Sequence, residues 1–544
     1  MSSFNSLRNT NNSRQNAATP QSQPIPGREE EMVENNAGGF TFTVDLWDRL
    51  DRFLILGVEG GTYYVSEKKL AVDNAKNVVK AIEQDGLRVV QRIVEISDSG
   101  RAAKNDPALF ALALAASADN PQTRQAALVA LPQVARIGTH LFHFADFVQN
   151  FRGWGRALRR AIGDWYTKQD VSNLAYQAVK YRQRDGWTHR DLLRLSHPKT
   201  RNESRNDVFK WIVTGKNVSD VPVIAGFEQA QTATSPKEIV RLINEFNLPR
   251  EAIPTEFLND VNVWDALLQK MPLHAMIRNL GKMSSIGLLA PMSNAQNLVV
   301  NKLSNAEDLR RSRVHPMAVL TALYTYKSGH GIRGSLSWDV NSQVMDALDE
   351  SFYGTFQNVE PTGKPTMLAL DVSGSMSMDN IGGVPGLTPR VASAAMAMIT
   401  ARTEPNYMVT AFTGGGSWGR SGNVDNLTVL DITPRQRMDD VIRKVSGLSF
   451  GGTDCALPMI YADKKNLAID NFAVYTDNET WAGSIQPSQS LVNYRKKSGR
   501  GARLAVVGMT STDFTIADPK DAGMMDVVGF DSAAPAIMAN FFRG

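Results

Sequence analysis

Hydrophobic and polar residues alternate with helical periodicity over residues 40–357. The segment DPALFALALAAS, residues 106–117, is apolar on nearly every side, which is typical of a helix packed on both faces. NPQTRQAALVALPQVARIG follows a short polar break, with its proline at a first-turn position. Helix, short break and helix recur as far as HPMAVLTALYTYKSG. Helix pairs of about 40 residues predict an α-solenoid, with a compact helical bundle as the alternative.

The pattern changes after residue 365. Short apolar runs alternate with helical stretches, and the strand-like runs are TMLALD, YMVTAF, LTVLD, FAVYTD, RLAVVG and DVVGF. This alternation predicts a mostly parallel sheet covered by helices on both faces, a doubly wound α/β domain. Ligands of such sheets bind at the carboxyl ends of the strands. Asp371 and Asp477 each close one of the predicted strands.

The length and composition of the chain predict how it divides into domains. A chain of 544 residues is too long for one core, so it should form at least two domains. Residues 1–38 consist largely of Asn, Gln, Ser and Pro and predict a disordered tail. We therefore expect this tail, a helical domain over residues 39–362 and a sheet domain over residues 363–544.

Cysteine content and the length of apolar runs indicate the cellular compartment of the protein. Its one cysteine, Cys455, excludes an intramolecular disulfide and a thiolate metal cluster, which favours a reducing, cytoplasmic location. The first 38 residues contain no signal-peptide segment, and the longest apolar run, LFALALAA, is too short to span a bilayer. We expect a monomer that does not bind membranes.

Oxygen side chains occupy alternate positions where the first predicted strand ends. Asp371, Ser373 and Ser375 lie in LALDVSGSMS, Thr453 follows in FGGTD, and Asp477 closes FAVYTD. Such hard oxygen donors suit Mg²⁺, with Mn²⁺ as a second choice. A lone D-x-S-x-S is equally consistent with a helix cap and turn residues. The later Thr and Asp at two further sheet edges favour a metal site.

Enzymatic uses of the same residues are not favoured. A haloacid-dehalogenase-type phosphatase needs a second carboxylate where Ser373 stands. The chain has no G-x-x-x-x-G-K-[ST] loop and no G-x-S-x-G elbow. One cysteine and seven scattered histidines suggest no nucleophile–base pair. We expect a binding site and no enzyme activity.

Basic residues are concentrated in one part of the helical region. Residues 151–216 contain 15 Lys and Arg against 6 Asp and Glu, whereas residues 361–544 contain 17 of each. The cationic candidates are Lys180, Arg182, Arg184, Arg190, Arg194 and His197. Aromatic residues such as Trp154, Trp165 and Tyr166 lie among the arginines, as in proteins that bind phosphates and stack bases. The alternative is a solvated helix face with its aromatics in the core.

Seven segments resemble the Ro protein family, which joins an RNA-binding TROVE module to a von Willebrand factor A domain. They are RFLILGVEGGTYY, KYRQRDGWTHRDLLRLSH, MPLHAMIRNLGKM, HPMAVLTALYTYKSGHG, LDVSGSM, GGTDCALPM and TDNETWAG. The D-x-S-x-S motif with its distant Thr and Asp resembles the metal-ion-dependent adhesion site of von Willebrand factor A domains. The resemblance implies a ring of HEAT-like helical repeats closed by that domain, in a bacterial member of the family.

The resemblance also implies how RNA binds. The outer surface of the family's ring binds Y RNA, and its contacts match Lys180, Arg184 and His197 here. The hole takes the single-stranded 3′ end of misfolded small noncoding RNA, and Arg278 and Lys282 resemble residues that face it.

Two functions follow from the resemblance and the site. One is noncoding-RNA quality control, or a scaffold on which Y RNA tethers an exoribonuclease such as polynucleotide phosphorylase. The alternative is a protein-interaction module that captures an acidic partner through the metal.

Overall fold

A computed structural model describes most of the chain. It covers residues 18–57, 67–102, 104–215, 221–331, 334–356, 360–377, 387–413, 424–449, 451–510, 512–528 and 533–543. Residues 1–17 of the predicted tail lie outside the described residues. No helix in these ranges is long and apolar enough to cross a membrane.

Helices make up most of the first two thirds of the chain, as the periodicity predicts. They are α1 (Leu46–Leu56), α2 (Glu67–Ser99), α3 (Asp106–Ser117), α4 (Pro121–Val134), α5 (Gly138–Phe151), α6 (Arg156–Lys168), α7 (Val171–Lys180), α8 (His189–Ser196), α9 (Glu203–Thr214), α10 (Pro222–Thr232), α11 (Pro236–Phe246), α12 (Val261–Lys270), α13 (Leu273–Ser285), α14 (Asn294–Ser304), α15 (Ala306–Ser312), α16 (Pro316–Lys327) and α17 (Ser342–Gly354). Short 3₁₀ turns at Arg250–Ala252 and Thr255–Phe257 join α11 to α12.

Strands are short in the helical part and longer after residue 365. They are β1 (Met32–Glu34), β2 (Phe40–Thr43), β3 (Gln183–Arg184), β4 (Trp187–Thr188), β5 (Thr366–Asp371), β6 (Tyr407–Phe412), β7 (Leu427–Leu430), β8 (Asn471–Thr476), β9 (Arg503–Gly508), β10 (Phe514–Thr515) and β11 (Met524–Val528). The helices of this second part are α18 (Pro389–Thr403), α19 (Met438–Ser446), α20 (Leu457–Lys464), α21 (Pro487–Ser498) and α22 (Ala534–Arg543).

Polar caps determine where several helices begin. The Asp170 side chain accepts hydrogen bonds from two backbone N–H groups in the first turn of α7, and Asn120 does the same for α4. Thr188 and Asp191 form a reciprocal capping box at the start of α8. Such caps satisfy backbone donors that have no partner within the helix.

Helices of the first part pack mainly on near neighbours in sequence. Contacts join α2 to α3, α3 to α4, α10 to α11 and α11 to α12. This is the arrangement of stacked repeats, in which each unit covers the apolar face of the next. The prediction of a helical array is confirmed.

The array closes on itself and on the sheet domain. His315, at the start of α16, lies 3.2 Å through Nε2 from the carbonyl oxygen of Arg101, which follows α2. The sheet domain contacts both ends of the array, because Asp526 on β11 pairs with Arg52 of α1 and Arg437 pairs with Asp346 of α17. The first and last helices are thereby joined into a closed circuit.

The sheet domain has the predicted doubly wound topology. Six strands run in the order β11–β9–β8–β5–β6–β7, all parallel except the edge strand β7. Every residue of β5 and β8 is buried, which explains their uninterrupted apolar sequences. The chain places β6 on one side of β5 and later β8 on the other, so the carboxyl end of β5 lies at the topological switch point.

The predicted disorder of residues 18–38 is wrong. These residues contain β1, which pairs with β2, and β2 pairs in turn with β10 of the second part. Gln21 is fully buried, and its Nε2 donates to Asp454 Oδ1 at 2.8 Å. Asn35 Nδ2 donates to the Thr480 carbonyl oxygen at 2.8 Å. A polar segment therefore becomes ordered through amide hydrogen bonds to sheet-domain loops, and composition does not reveal such partners.

Candidate nucleic-acid interface and metal centre

A two-residue hairpin presents the first predicted cations. Strands β3 and β4 pair antiparallel, and Asp185 and Gly186 between them have positive φ angles of 52° and 79°. Such turns favour Asp-Gly because their backbone lies in the left-handed region. The Asp185 carboxylate also lies 2.6 Å from His143 Nδ1 on α5, which anchors the hairpin. Arg184 is left exposed, with 59% of its side chain accessible.

Helix α8 continues the same cationic surface. Its buried residues include Leu192 and Leu193, whereas Arg190 and Arg194 are exposed and lie one turn apart. His197 ends the helix in the left-handed conformation and is also exposed. We call the predicted cations of this region the basic surface, and they are Lys180, Arg182, Arg184, Arg190, Arg194 and His197.

Aromatic residues near the basic surface belong mostly to the core. Trp165 and Tyr166 are at most 2% exposed, and the Tyr166 hydroxyl lies 2.8 Å from Nδ1 of buried His189. The interpretation of these rings as base-stacking groups is wrong, because the amphipathic period of α6 turns them inward. Trp154 and Trp187 are half-buried and contact each other at 5.6 Å between ring centroids.

Lys180 connects the basic surface to the predicted hole-facing segment. It ends α7, and its Nζ lies 5.4 Å from the ring centroids of both Tyr176 and Tyr181. Partial burial lowers the pKa of His274 on α13, and the nearby charges of Arg278 and Lys180 lower it further. Residues predicted for two different surfaces therefore lie near one imidazole.

Helix α13 carries the remaining predicted cations. Arg278 is exposed, and Lys282, four residues later, donates through Nζ to Asn259 Oδ1 at 2.7 Å. Partial burial and the charge of Arg250 lower the pKa of Lys282. Arg250 and His274 thus join this cluster, although sequence analysis did not select them. Both residues lie far from the basic surface in sequence, so no local motif connects them with it.

The five predicted metal ligands gather where β5 and β8 end. Ser373 Oγ lies 3.1 Å from Ser375 Oγ, and the Ser373 backbone donates to Asp371 Oδ1 at 2.8 Å. The Ser375 side chain lies near Asp477 and opposes the rise in the pKa of that carboxyl. The Gly374 backbone donates to the Gly451 carbonyl oxygen at 3.4 Å, which brings the Thr453 loop alongside.

Every predicted ligand is buried. Their exposed fractions are 0% for Asp371, 1% for Ser373, 4% for Ser375, 0% for Thr453 and 2% for Asp477. Within the described residues, Thr453 Oγ1 has no hydrogen-bond partner. A buried polar atom without a partner is unfavourable by about 1–3 kcal/mol, so this oxygen fits a cation as its missing partner.

The electrostatics of the site also fit a cation. Burial raises the pKa of Asp371, while hydrogen bonds from Ser373 and Thr476 and the charge of Arg390 oppose the rise. Burial and the Asp371 carboxylate raise the pKa of Asp477 to about 7. Two buried carboxylates side by side are unfavourable, and a divalent cation between hard oxygen donors would offset their charge.

Two further residues support the Asp371 carboxylate. Thr476 Oγ1 donates to Asp371 Oδ2 at 2.7 Å, and the buried Arg390 guanidinium donates to the Val372 carbonyl oxygen. Neither residue stands out in the sequence. Thr476 lies within FAVYTD, but a threonine inside a strand is ordinary, and Arg390 lies on α18, remote in sequence.

Family models and known proteins resemble the chain over nearly its full length. A TROVE domain model matches residues 33–248 and 245–325, and a Ro60 vWA domain model matches residues 366–542. The RNA-binding protein RO60 of Deinococcus radiodurans is 43% identical over 535 residues, covering 97% of this chain and 98% of that protein. Its namesake in Caenorhabditis elegans is 36% identical over 595 residues, covering 94% and 90%.

A solved structure shows the same fold. It is the crystal structure of the Deinococcus radiodurans RO (RSR) protein, with a TM-score of 0.70 at 43% sequence identity. The match covers 92% of this chain and all of the other.

Proposed function

The chain belongs to the Ro protein family, and from that premise we propose that it binds RNA through its basic surface. The observation that carries the proposal is the exposure of four arginines and one histidine around one strand–turn–helix unit, and they are Arg182, Arg184, Arg190, Arg194 and His197. Among the described residues, Arg182, Arg190 and Arg194 form no ion pair with an acidic side chain. Unpaired cations on one surface are suited to neutralising RNA phosphates.

The finer proposal divides the RNA between two groups of cations. Lys180, Arg184 and His197 bind a structured RNA of the Y type, and Arg278 with Lys282 binds the single-stranded 3′ end of a misfolded noncoding RNA. The spacing of four residues on α13 supports the second part, because it places both cations on one helix face. In this proposal the protein is a cytoplasmic monomer that acts in noncoding-RNA quality control. It acts by binding, and Y RNA tethers an exoribonuclease such as polynucleotide phosphorylase to it.

The metal site has a supporting role in this proposal. Asp371, Ser373, Ser375, Thr453 and Asp477 would hold Mg²⁺, or Mn²⁺ in its place. The cation would supply positive charge that holds the loops after β5 and β8 together. The donor set also supports a second candidate function, in which the metal binds an acidic group of a partner protein.

Chelation separates the two candidate functions. A labelled Y-like RNA hairpin that folds in monovalent salt is mixed with the full chain, in EDTA and in Mg²⁺, and binding is measured by gel shift. RNA binding of similar affinity in both solutions is expected, because the basic surface contains no metal ligand. Loss of all RNA binding in EDTA, with the protein still folded, would contradict the proposal.

The 3′-end proposal has its own test. Duplexes of equal length with and without a 3′ overhang are compared on the wild type and on the double variant Arg278→Ala, Lys282→Ala. The overhang should strengthen binding to the wild type and have a smaller effect on the variant. Equal binding of blunt and overhanging duplexes by the wild type would show that α13 does not select a free end.

A further inference from the structure

The N-terminal segment, residues 18–38, packs on two loops that carry predicted metal ligands. One loop precedes α20 and contains Thr453, and the other follows β8 and begins with Asp477. Hydrogen bonds join the segment to both loops, between residues more than 430 positions apart in sequence. The segment therefore contacts the ligand loops without supplying any of the predicted ligands.

One side chain of the segment bridges the two loops. Gln21 Nε2 donates to Asp454 Oδ1 at 2.8 Å, and Gln21 Oε1 accepts from the Thr480 hydroxyl at 2.5 Å. The backbone N–H of Gly483 donates to the same Oε1 at 3.0 Å. A Cβ atom on Gly483 would collide with the Gln21 amide, so the loop after β8 fits closely around it. Because Asp454 directly follows Thr453, the amide holds the backbone beside a predicted ligand.

A second group of contacts reaches Asp477 through one intervening residue. Asn36 Nδ2 donates to Glu479 Oε1 at 2.8 Å, and the Ala37 backbone donates to Glu479 Oε2 at 3.2 Å. The backbone N–H of Glu479 donates in turn to Asp477 Oδ1 at 3.0 Å. Glu479 is fully buried, so these contacts fix its position. The segment thereby helps to orient the Asp477 carboxylate.

The geometry that a small divalent cation requires makes these contacts important. Mg²⁺ takes its oxygen ligands at about 2.0–2.1 Å in near-octahedral geometry. Ligands on separate loops meet that requirement only when supporting contacts hold the loops in register. The loop after β5 carries three predicted ligands, and Thr453 and Asp477 lie on the two loops that Gln21 joins.

We propose that the N-terminal segment is a positioning element of the metal site, so that cation binding and docking of the segment on the loops strengthen each other. The coupling is reciprocal, because the arrangement of loops that favours one event also favours the other. The inference rests on the metal site of the proposed function. It adds a residue, Gln21, that controls cation affinity without touching the cation.

The affinity for Mn²⁺ measures the coupling. Mn²⁺ alone is titrated into the full chain well below its melting temperature, and the free ion is followed by electron paramagnetic resonance. The binding that Asp371→Ala lacks defines the site. Gln21→Ala should bind Mn²⁺ at this site about tenfold more weakly than the wild type, which is near the low end of the couplings found between linked sites.

Gln296→Ala separates positioning from general destabilisation. Gln296 is a buried glutamine on α14 in the helical part, and its Oε1 accepts from the Met292 backbone at 3.0 Å and from Asn341 Nδ2 at 2.9 Å. The variant therefore removes the same side chain from a similar buried position, where it joins parts of the helical array. It should lose stability, as Gln21→Ala does, and keep the wild-type affinity for Mn²⁺.

Hydrogen exchange measures the reciprocal effect. Peptides from residues 18–38 are followed by mass spectrometry at constant pH, with and without Mg²⁺. Saturating Mg²⁺ should slow their exchange in the wild type by a similar factor, because the cation favours the docked segment. It should leave their exchange in Asp371→Ala unchanged.

Three results would overturn the inference. They are equal Mn²⁺ affinity of the wild type and Gln21→Ala, equal weakening in Gln21→Ala and Gln296→Ala, and exchange of residues 18–38 that is indifferent to Mg²⁺ in a wild type that binds Mn²⁺. Identical Mn²⁺ binding by the wild type and Asp371→Ala is a different outcome. It would contradict the metal assignment itself, and the inference with it.

Discussion

Burial changes the chemistry of the metal-site side chains. Asp371 and Asp477 were selected from sequence because they close predicted strands, and the structure brings them together with the three predicted hydroxyls. Sequence spacing reveals the donor types but not their burial. The raised pKa of Asp477, to about 7, arises from burial and from the neighbouring Asp371 carboxylate. The burial of Asp477 and its closeness to Asp371 both depend on packing around the sheet edge.

Replacement of Asp371 should remove the stabilising effect of Mg²⁺. A cation that binds only the folded chain stabilises it by RT ln(1 + [L]/Kd), about 2.7 kcal/mol at a hundredfold excess over Kd. The melting temperature of the wild type should therefore rise by several degrees with Mg²⁺, and that of Asp371→Ala should not. Without metal the two proteins need not melt at the same temperature, because Asp371→Ala removes a repelling carboxylate but also the acceptor of Thr476 Oγ1 and of the Ser373 backbone, so the test compares the response of each protein to Mg²⁺.

Asp440→Ala serves as the control for the metal experiment. Asp440 lies in the same domain on α19, 41% exposed, in a surface pair with Arg443. Such pairs contribute little to stability, so its response to Mg²⁺ should match that of the wild type. A wild type whose melting is indifferent to millimolar Mg²⁺ and Mn²⁺ would contradict the metal assignment. RNA binding should persist in Asp371→Ala.

At the scale of helices and strands, hydrophobic periodicity predicted the elements well, whereas polar composition predicted disorder wrongly. The predicted segment 106–117 coincides with α3, and the apolar run TMLALD coincides with β5. Both elements are buried on nearly all sides, so nearly every position in their sequences is apolar. The hairpin of β3 and β4 was not selected, because two residues per strand are too few for an alternating pattern.

The N-terminal segment shows the limit of composition. Residues 18–38 have few apolar groups to bury, and they become ordered because their amides find partners in sheet-domain loops, one before α20 and one after β8. Gln21 alone donates to Asp454 and to the Ile485 carbonyl oxygen, and accepts from Thr480. These partners are more than 430 residues away in sequence, and no local pattern encodes them.

Gln21 should therefore contribute strongly to stability. Gln21→Ala removes hydrogen bonds from several buried polar groups, and we expect the free energy of unfolding to fall by about 2–4 kcal/mol. Gln23→Ala is the control, because Gln23 lies two residues after Gln21 and its side chain is exposed. Urea denaturation followed by tryptophan fluorescence measures both variants. Equal stability of the two variants would show that the segment does not support the sheet domain.

At the scale of the whole molecule, closure of the helical array depends partly on a buried histidine. His315 Nδ1 accepts from the Met317 backbone at 3.1 Å, and its Nε2 contacts the Arg101 carbonyl oxygen. Burial lowers the pKa of His315 from 6.5 to about 4, and the charge of His274 adds to the effect. The unfolded chain therefore takes up a proton between pH 6.5 and 4 that the folded chain does not.

Acid should weaken this closure through His315. The stabilisation is fully present above pH 6.5 and is lost as the pH falls toward 4, a change of about 3 kcal/mol for the shift. His315→Asn retains a capping side chain that does not titrate. Its melting temperature should fall less than that of the wild type between pH 7 and pH 4.5, as calorimetry can measure. An identical fall in the melting temperature of both proteins would show that His315 is not the group through which acid weakens the closure.

The central claim is that the basic surface binds RNA, and the salt dependence of binding tests it most directly. The dissociation constant for a Y-like RNA is measured against salt concentration for the wild type and for the double variant Lys180→Ala, Arg184→Ala. Each lost phosphate contact should reduce the slope of log affinity against log salt by about 0.9, so the variant should bind more weakly with a slope shallower by about 2. The control is Lys237→Ala, Arg241→Ala, an exposed cationic pair on α11 that lies outside the basic surface. Its affinity and slope should match those of the wild type. Unchanged affinity and slope in the Lys180 and Arg184 variant would contradict the account.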